Sequence, residues 1–187
     1  NDPIACVLQD PLWAARQSAR PVVLFTGNNS PVELIHAAGC FPLQLPTAPR
    51  AAYAQADRYL EARFDPMSRC ALDQLLCGEL DLARLLILPR SVDSWQRLYY
   101  YACELVRSFA ERLPEPFLYD VLHTPFESSA EYNLKSTQLL ADRLAQLGGP
   151  ITDTELKAMA ALAMIGLSSR PKPGYSTPAA IGTPRTL

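Results

Sequence analysis

The chain has 187 residues, of which 49% are hydrophobic and 19% are charged, so wholesale disorder is excluded and one domain with a sizeable core is expected. A formal net charge of −2 does not provide the dense basic face that general nucleic-acid binders and anionic-membrane binders need. The longest apolar stretch, residues 158–167, is shorter than the roughly 20 residues that span a bilayer. We therefore expect no nucleic-acid partner and no membrane association.

The cysteines and the beginning of the chain indicate the compartment. The five cysteines are an odd number, and they are scattered rather than grouped in a CxxC motif. No charged segment followed by an apolar one, the pattern of a signal peptide, is visible near residue 1. Both observations favour reduced thiols and a cytoplasmic location.

The first recognisable unit is a strand, a helix and a second strand. Short apolar runs at residues 21–27 and 41–45 predict two buried strands. Between them the sequence predicts a helix that is capped by Ser30, with Glu33 completing a capping box by bonding back to the amide of the cap residue. Gly39 predicts the end of this helix.

The alternation of strands and helices continues along the chain. Further strands are predicted at residues 84–88 and 117–122. Further helices are predicted at residues 51–63, 69–78, 93–112, 128–147 and 151–165. Strands separated by helices form parallel sheets that are covered on both faces, so residues 1–165 are predicted to form an α/β, Rossmann-like domain with about four parallel strands. The Pro- and Gly-rich residues 166–187 are predicted to be a linker or tail that leads towards a second domain.

Candidate functional residues lie where the predicted strands end. The sequence contains no Walker loop, GxGxxG, GxSxG or HExxH motif. Asn29 and Ser30 stand in the turn before a helix N-terminus, where backbone amides can bind an anion or a carbonyl group. Glu33 is a candidate acid–base group in the same turn, with its capping role as the alternative. His123 closes the fourth predicted strand, at the edge where α/β sheets bind ligands, although a structural role is the simpler interpretation.

A metal site held by this chain alone is not expected. Cys70 and Cys77 are seven residues apart, so on one helix they are separated by about 10 Å. Two thiolates that bind one metal ion at about 2.3 Å cannot lie so far from each other.

Several blocks of the sequence together resemble the 2-hydroxyacyl-CoA dehydratase and benzoyl-CoA reductase family. Residues 27–43, GNNSPVELIHAAGCFPL, are similar to the opening motif of that family. Residues 65–69 (DPMSR) and 75–81 (LLCGELD) resemble the second block of the family. Residues 86–89 (LILP) and 93–98 (DSWQRL) resemble the third block. The resemblance covers most of residues 21–165, and the order and spacing of the blocks make it fairly specific.

The resemblance implies a fold, a cofactor and partners. Typical family subunits contain two similar α/β domains, assemble in pairs and hold a [4Fe–4S] cluster through three cysteines, the third of which belongs to the second domain. An ATP-driven activator delivers an electron that permits ketyl-radical dehydration or ring reduction on a CoA thioester. If this chain is an enzyme, the resemblance therefore implies a dehydratase-type lyase subunit or a CoA-ester reductase subunit.

The chain departs from the family pattern at the cluster positions. Asp65 and Val92 occupy the two positions at which the family has cysteines, and Cys70 lies five residues late. Valine cannot bind iron, and a hard carboxylate oxygen suits an iron–sulfur cluster poorly. No cofactor is therefore expected in this chain.

The leading hypothesis is a divergent, cluster-less subunit that forms a homo- or heterodimer with a family-like subunit. It keeps an acyl-CoA pocket, in which Asn29, Ser30 and Glu33 face the thioester. One alternative is an active dehydratase or reductase subunit whose [4Fe–4S] cluster has unusual ligands such as Asp65 or Cys70. The other is a non-catalytic assembly or regulatory protein that reuses the fold as a binding surface.

Overall fold

The centre of the protein is a four-stranded sheet, seen in a computed structural model that describes residues 10–27, 29–48, 50–109 and 113–157. All neighbouring strands are parallel, and their order is β2-β1-β3-β4. The strands are β1 (Val22–Phe25), β2 (Phe41–Gln44), β3 (Ala83–Pro89) and β4 (Glu115–Tyr119). This sheet, flanked by helices, confirms the predicted α/β, Rossmann-like class.

Five helices accompany the strands in the described part of the chain. They are α1 (Trp13–Gln17), α2 (Val32–Ala37), α3 (Pro66–Leu76), α4 (Asp93–Phe109) and α5 (Glu127–Leu147). Residues 153–157 are also helical. Beyond them, the rest of the helix predicted to residue 165 and the predicted tail at 166–187 lie outside the described residues. None of the described helices is long and apolar enough to cross a membrane.

The sheet is buried on both faces because helices cover each of them. Alternate residues of a strand point to opposite faces, so neighbours in one strand serve different cores. Leu24 and Leu88 belong to a core that includes side chains of α3 and α4. Val23 and Ile87 belong to a second core, which includes side chains of α2 and α5. The result is a three-layer arrangement in which the strand ends are left for function.

The helix predicted over residues 51–63 is wrong. The structure has only a 3-10 turn at Ala56–Arg58 in this segment. The buried carboxylate of Asp73 on α3 accepts hydrogen bonds from the backbone amides of Gln55 and Ala56, at 2.8 and 3.2 Å. A side chain from another element therefore fixes this loop, and local periodicity carries no trace of such a contact.

The fourth strand is displaced from its prediction at residues 117–122. It runs from Glu115 to Tyr119 and pairs with β3 along its whole length. Pro116 lies within it, opposite Leu86, which is compatible with the position of β4 at the end of the described sheet. The residues after Tyr119 form a loop at the strand end, and this shift decides which side chains face a ligand.

The predicted capping box at the start of α2 is also wrong. The helix begins at Val32 after Pro31, and no side chain caps it. The Ser30 hydroxyl instead donates a hydrogen bond to the Thr26 carbonyl at 2.8 Å. The tight turn after β1 thus uses the serine to close itself, and Glu33 has no capping function.

The predicted end of α2 at Gly39 is confirmed. Gly39 has a φ of +72°, a left-handed conformation that favours glycine. Its amide donates to the His36 carbonyl at 2.9 Å, and the Cys40 amide donates to the Ile35 carbonyl at 3.1 Å. This pair of bonds is the Schellman arrangement, which satisfies the last carbonyls of the helix.

Candidate functional site

A crevice opens at the carboxyl ends of the strands. The order β2-β1-β3-β4 places the topological switch point between β1 and β3, and α/β sheets bind ligands outside the strand ends at such a point. A cavity of about 240 Å³ lies here, which we call the carboxyl-edge crevice. Its polar lining comes from the loops after three strands: Asn29, Arg90, Ser91, Tyr119 and His123.

Arg90, which lines the crevice, belongs to an ionic network with Asp120 and Tyr132. The Arg90 guanidinium donates to the Asp120 carboxylate at 2.9 Å, and the Tyr132 hydroxyl donates to the same carboxylate oxygen at 2.9 Å. The hydrogen bond to Asp120 raises the pKa of Tyr132 and that of Arg90, so both stay protonated at neutral pH. The crevice therefore presents a fixed cation at its rim, partly neutralised by one carboxylate.

Arg90, Asp120 and Tyr132 were not among the residues that received a functional role from the sequence. Arg90 directly follows β3 and Asp120 directly follows β4, so their positions at strand ends were a usable signal. Tyr132 lies on α5 and gave no such signal, because only the packing of α5 beside β4 brings its hydroxyl to Asp120.

His123 lines the crevice, in agreement with its predicted place at the ligand-binding edge. The loop that carries it is fastened to α5. The Asn133 side chain donates to the Leu122 carbonyl at 2.9 Å and accepts from the Leu122 amide at 2.7 Å. The hydroxyls of Thr124 and Ser129 lie 2.6 Å apart. This loop is therefore positioned by several hydrogen bonds rather than by strand pairing.

The three residues predicted to face a substrate lie in different environments. Asn29 is exposed and lines the crevice. Ser30 is buried, and its hydroxyl is already engaged with the Thr26 carbonyl. Glu33 is half-buried in the first turn of α2, and its carboxylate has no hydrogen-bond or ion-pair partner among the described residues. The structure thus brings only Asn29 to the wall of the crevice.

Thr26 carries a polar atom that lacks a partner. Its side chain is 3% exposed, and its hydroxyl makes no hydrogen bond to any residue that the structure describes. Leaving a buried hydroxyl unpaired costs about 1–3 kcal/mol. Because Thr26 directly follows β1, this unpaired hydroxyl belongs to the same edge of the sheet as the crevice.

Asp65 caps helix α3. One carboxylate oxygen accepts from the amides of Met67 and Ser68 at 3.0 Å each, and the other accepts from the Ser68 hydroxyl at 2.7 Å. Burial raises the pKa of Asp65, but the hydrogen bonds from Ser68, Ser94 and Met67 outweigh that effect and hold its pKa below the ordinary value. The carboxylate is therefore ionised, and both of its oxygens accept hydrogen bonds from within the protein.

The start of α4 lies beside the Asp65 carboxylate. The Ser94 hydroxyl, in the first turn of α4, contributes one of the hydrogen bonds that lower the pKa of Asp65 at the start of α3. Val92, two residues before Ser94, is 48% exposed and has no atom that could bind a metal. Cys70 is buried, and its thiol donates to the Ala48 carbonyl at 3.1 Å.

Comparison with protein-family models matches residues 28–163 to 2-hydroxyglutaryl-CoA dehydratase, D-component. The match spans most of the chain and agrees with the resemblance of the sequence blocks. This chain belongs to that family. No curated protein matches the chain. The description of the family names one component of a dehydratase.

The residues of this family member at the cluster positions do not fit a [4Fe–4S] cluster. Such clusters are held by thiolates, and neither Asp65 nor Val92 offers one. The Cys70 thiol lies in the core, where it donates a hydrogen bond to the Ala48 carbonyl and accepts one from the Gln74 side-chain amide. In the described ranges of the chain, no three His, Cys, Asp or Glu side chains group as metal ligands.

Large apolar side chains are exposed at the carboxyl edge of the sheet. We call them the apolar rim: Met67 after the cap of α3, Val92 after β3, and Leu122 and Phe126 after β4. Between 39% and 65% of each side chain is exposed. Exposed apolar groups that lie close together among polar ones mark an interaction site. The edge that carries the crevice thus also carries four exposed apolar side chains.

Proposed function

We propose that this family member is a cluster-less subunit that binds an acyl-CoA thioester in the carboxyl-edge crevice. In this proposal electron transfer belongs to a partner subunit, and this chain contributes binding and orientation. The observation that carries the proposal is the replacement at the two cluster positions. There, an aspartate committed to capping α3 and an exposed valine stand where thiolates would be required.

The chemistry of the crevice supports an anionic, amide-rich ligand. The Arg90 guanidinium at the rim suits the phosphates of a CoA thioester. Asn29 and Ser91 offer hydrogen-bonding groups for a thioester carbonyl or for amides of the CoA arm. Ser91 lies just before α4, a helix of 17 residues whose N-terminus favours negative charge.

Glu33 remains the candidate acid–base group of the proposal. The capping box that would have explained it without a function does not form. Its carboxylate is half-buried and makes no hydrogen bond within the described part of the chain, so it is available to a ligand that reaches beyond Asn29. This role is a proposal that rests on proximity in the turn after β1.

The apolar rim supports a family-like α/β subunit as the partner. The exposed side chains of Met67, Val92 and Phe126 lie at the edge of the sheet that carries the crevice, so a partner seated on them would cover that edge and exclude water. The proposed dimer, with a second copy or with a related chain, therefore uses the same edge as the proposed ligand.

Iron analysis tests the missing cluster. The full chain is purified anaerobically, with its co-purifying partner and alone, and iron and acid-labile sulfide are measured. We expect no stoichiometric iron on the isolated chain. A stoichiometric cluster that is lost in Cys70→Ser or Asp65→Asn, with circular dichroism unchanged, contradicts the proposal and establishes the alternative of an active subunit with unusual cluster ligands.

Titration with acetyl-CoA tests the crevice. Arg90→Gln is expected to weaken binding about tenfold, which corresponds to about 1.4 kcal/mol. Arg107→Gln is the matched control, because Arg107 lies on α4 in an exposed pair with Glu104 and does not line the crevice. Equal affinities of the two variants contradict the proposed site. Absence of acetyl-CoA binding together with stable capture of a family-like subunit supports the second alternative, a non-catalytic assembly protein.

A further inference from the structure

The largest cavity among those described lies at the opposite edge of the sheet. It has a volume of about 550 Å³ and opens where β1 and β3 begin, beside the ends of α1 and α5. We call it the amino-edge groove. Its polar lining consists of Arg16, Ser18, Arg20, Arg84 and Gln146. Its volume lies within the range of about 300–1,000 Å³ that is usual for small-molecule sites.

The groove concentrates positive charge in a chain whose net charge is −2. Arg16 is paired with Asp10 at 2.5 Å. Among the described residues, neither Arg20 nor Arg84 has a carboxylate within ion-pair distance, although other arginines, such as Arg90, do. The Arg20 guanidinium lies over the Phe41 ring, 5.3 Å from its centroid, and this stacking limits its orientations.

A backbone irregularity places Arg84 in the groove. Val22 pairs with Ala83 and Val23 pairs with Leu85, so Arg84 is an extra residue in β3 and has no partner in β1. Such bulges are rare between parallel strands and redirect a side chain. Arg84 is exposed, whereas Ala83 and Leu85 on either side are buried. The fold therefore interrupts its central ladder at the residue that presents the second unpaired guanidinium.

Helix capping does not explain the two unpaired arginines. Cations near helix C-termini compensate the unpaired carbonyl groups, and Arg16, in the last turn of α1, fits that function. Arg20 lies after the end of α1, and Arg84 lies on a strand. At Gln146, the side-chain oxygen accepts from Arg143 at 2.7 Å, which leaves its amide group to donate into the groove.

We propose that the amino-edge groove binds the diphosphate group of an organic small molecule. The planar guanidiniums of Arg20 and Arg84 each match one phosphate, and the Gln146 amide donates to a phosphate oxygen. The site is separate from the carboxyl-edge crevice and does not depend on the function proposed for it. A nucleoside diphosphate and CoA share this diphosphate chemistry, and the binding experiment distinguishes them.

The test is calorimetric titration of the full chain with inorganic pyrophosphate, ADP and CoA at moderate salt. We expect saturable pyrophosphate binding that weakens at least about tenfold in Arg20→Gln/Arg84→Gln. In Arg20→Lys/Arg84→Lys, which keeps the charge but loses the planar fork, binding is expected to be intermediate. Arg58→Gln/Arg107→Gln, with two exposed arginines away from the groove, is the control for general charge.

His36 supplies an independent readout. Its pKa is lowered by burial and by the nearby Arg20 guanidinium, so an anion that neutralises Arg20 raises it. We expect pyrophosphate to shift the NMR titration of His36 upward in the wild-type chain and not in Arg20→Gln/Arg84→Gln.

The outcomes divide as follows. If ADP binds more tightly than pyrophosphate and CoA does not, the ligand is a nucleotide. If CoA binds more tightly than pyrophosphate and ADP does not, the ligand is CoA. Loss of CoA binding in Arg90→Gln but not in Arg20→Gln/Arg84→Gln assigns CoA to the crevice alone. The proposal is overturned by the absence of saturable pyrophosphate binding, or by equal weakening in the control pair.

Discussion

The two edges of the sheet are built from the same strands but differ in how their charges are used. At the carboxyl edge, Arg90 is neutralised by Asp120, the carboxylate of Asp65 caps a helix, and exposed apolar side chains accompany a small crevice. At the amino edge, a groove of more than twice the volume presents two arginines without carboxylate partners among the described residues.

The difference also extends to packing. The amino edge contains a close helix-to-helix approach, the amino-edge seam, where Gly148 at the end of α5 lies against the Ala38 carbonyl at the end of α2. The carboxyl edge is built from loops that side-chain hydrogen bonds hold in place, such as the Asn133 contacts to Leu122. The amino edge is thus held by close backbone packing, whereas the carboxyl-edge loop is held by side-chain hydrogen bonds.

The largest effect is expected from a change in the amino-edge seam. A Cβ at Gly148 would lie 2.0 Å from the Ala38 carbonyl oxygen and 2.8 Å from the Cys40 sulfur, so Gly148→Ala forces α2 and α5 apart. We expect a loss of about 3 kcal/mol or more in the free energy of unfolding, measured by urea denaturation. Gly39→Ala is the comparison, because its main penalty is the left-handed backbone conformation at that position. It should lower the free energy of unfolding by about 1–2 kcal/mol. Equal costs for both variants would show that the seam is not tight.

The second effect concerns the cap at the carboxyl edge. Asp65→Ala removes three hydrogen bonds at the start of α3 and should cost about 1–2 kcal/mol. Because the pKa of Asp65 is lower in the folded chain than its ordinary value of 3.8, this stabilisation is present above pH 3.8 and is lost as the pH falls through the folded-state pKa. Unfolding free energies of the wild type and Asp65→Ala should therefore converge in acid. A constant difference would contradict the assigned role.

The third effect concerns Arg90, which can be deprived of its carboxylate partner so that it resembles the unpaired arginines of the amino edge. Asp120→Asn leaves Arg90 without its carboxylate and should tighten acetyl-CoA binding about two- to fivefold, the scale of an exposed ion pair worth up to about 1 kcal/mol. Glu104→Gln, which removes the carboxylate of the exposed Arg107–Glu104 pair, is the control and should leave affinity unchanged. Weaker binding in Asp120→Asn would indicate that Asp120 positions Arg90 rather than competing for it.

The smallest effect is expected at Cys77, which ends α3 on the amino side. Cys77 is an exposed residue. Partial loss of water around the thiol, together with the Asp73 and Glu79 carboxylates, raises its pKa. Cys77→Ser should change the unfolding free energy by less than about 0.5 kcal/mol. In the native protein, N-ethylmaleimide followed by mass spectrometry should label Cys77 slowly while Cys40 and Cys70 stay protected. Rapid labelling of Cys70 would show that α3 is not packed as described.

Much of the fold was predictable because its signals are local. The runs around β1, β2 and β3 and the glycine stop at Gly39 are patterns of a few consecutive residues, and the structure confirms them. The candidate site was predictable in part. Asn29 and His123 line the crevice, as their strand-end positions indicated, whereas Tyr132 reaches Asp120 only through the packing of α5.

Local residue patterns were enough to establish the alternation of strands and helices and the family. Packing alone shows that Asp73 holds the loop before α3, that the start of α4 lies beside Asp65, and that Arg84, at a bulge, lines the same groove as Arg20. Hydropathy patterns report which face of an element avoids water, and that preference is local. Hydrogen bonds and ion pairs between residues that are distant in sequence depend on how the chain closes, and single positions do not encode that geometry.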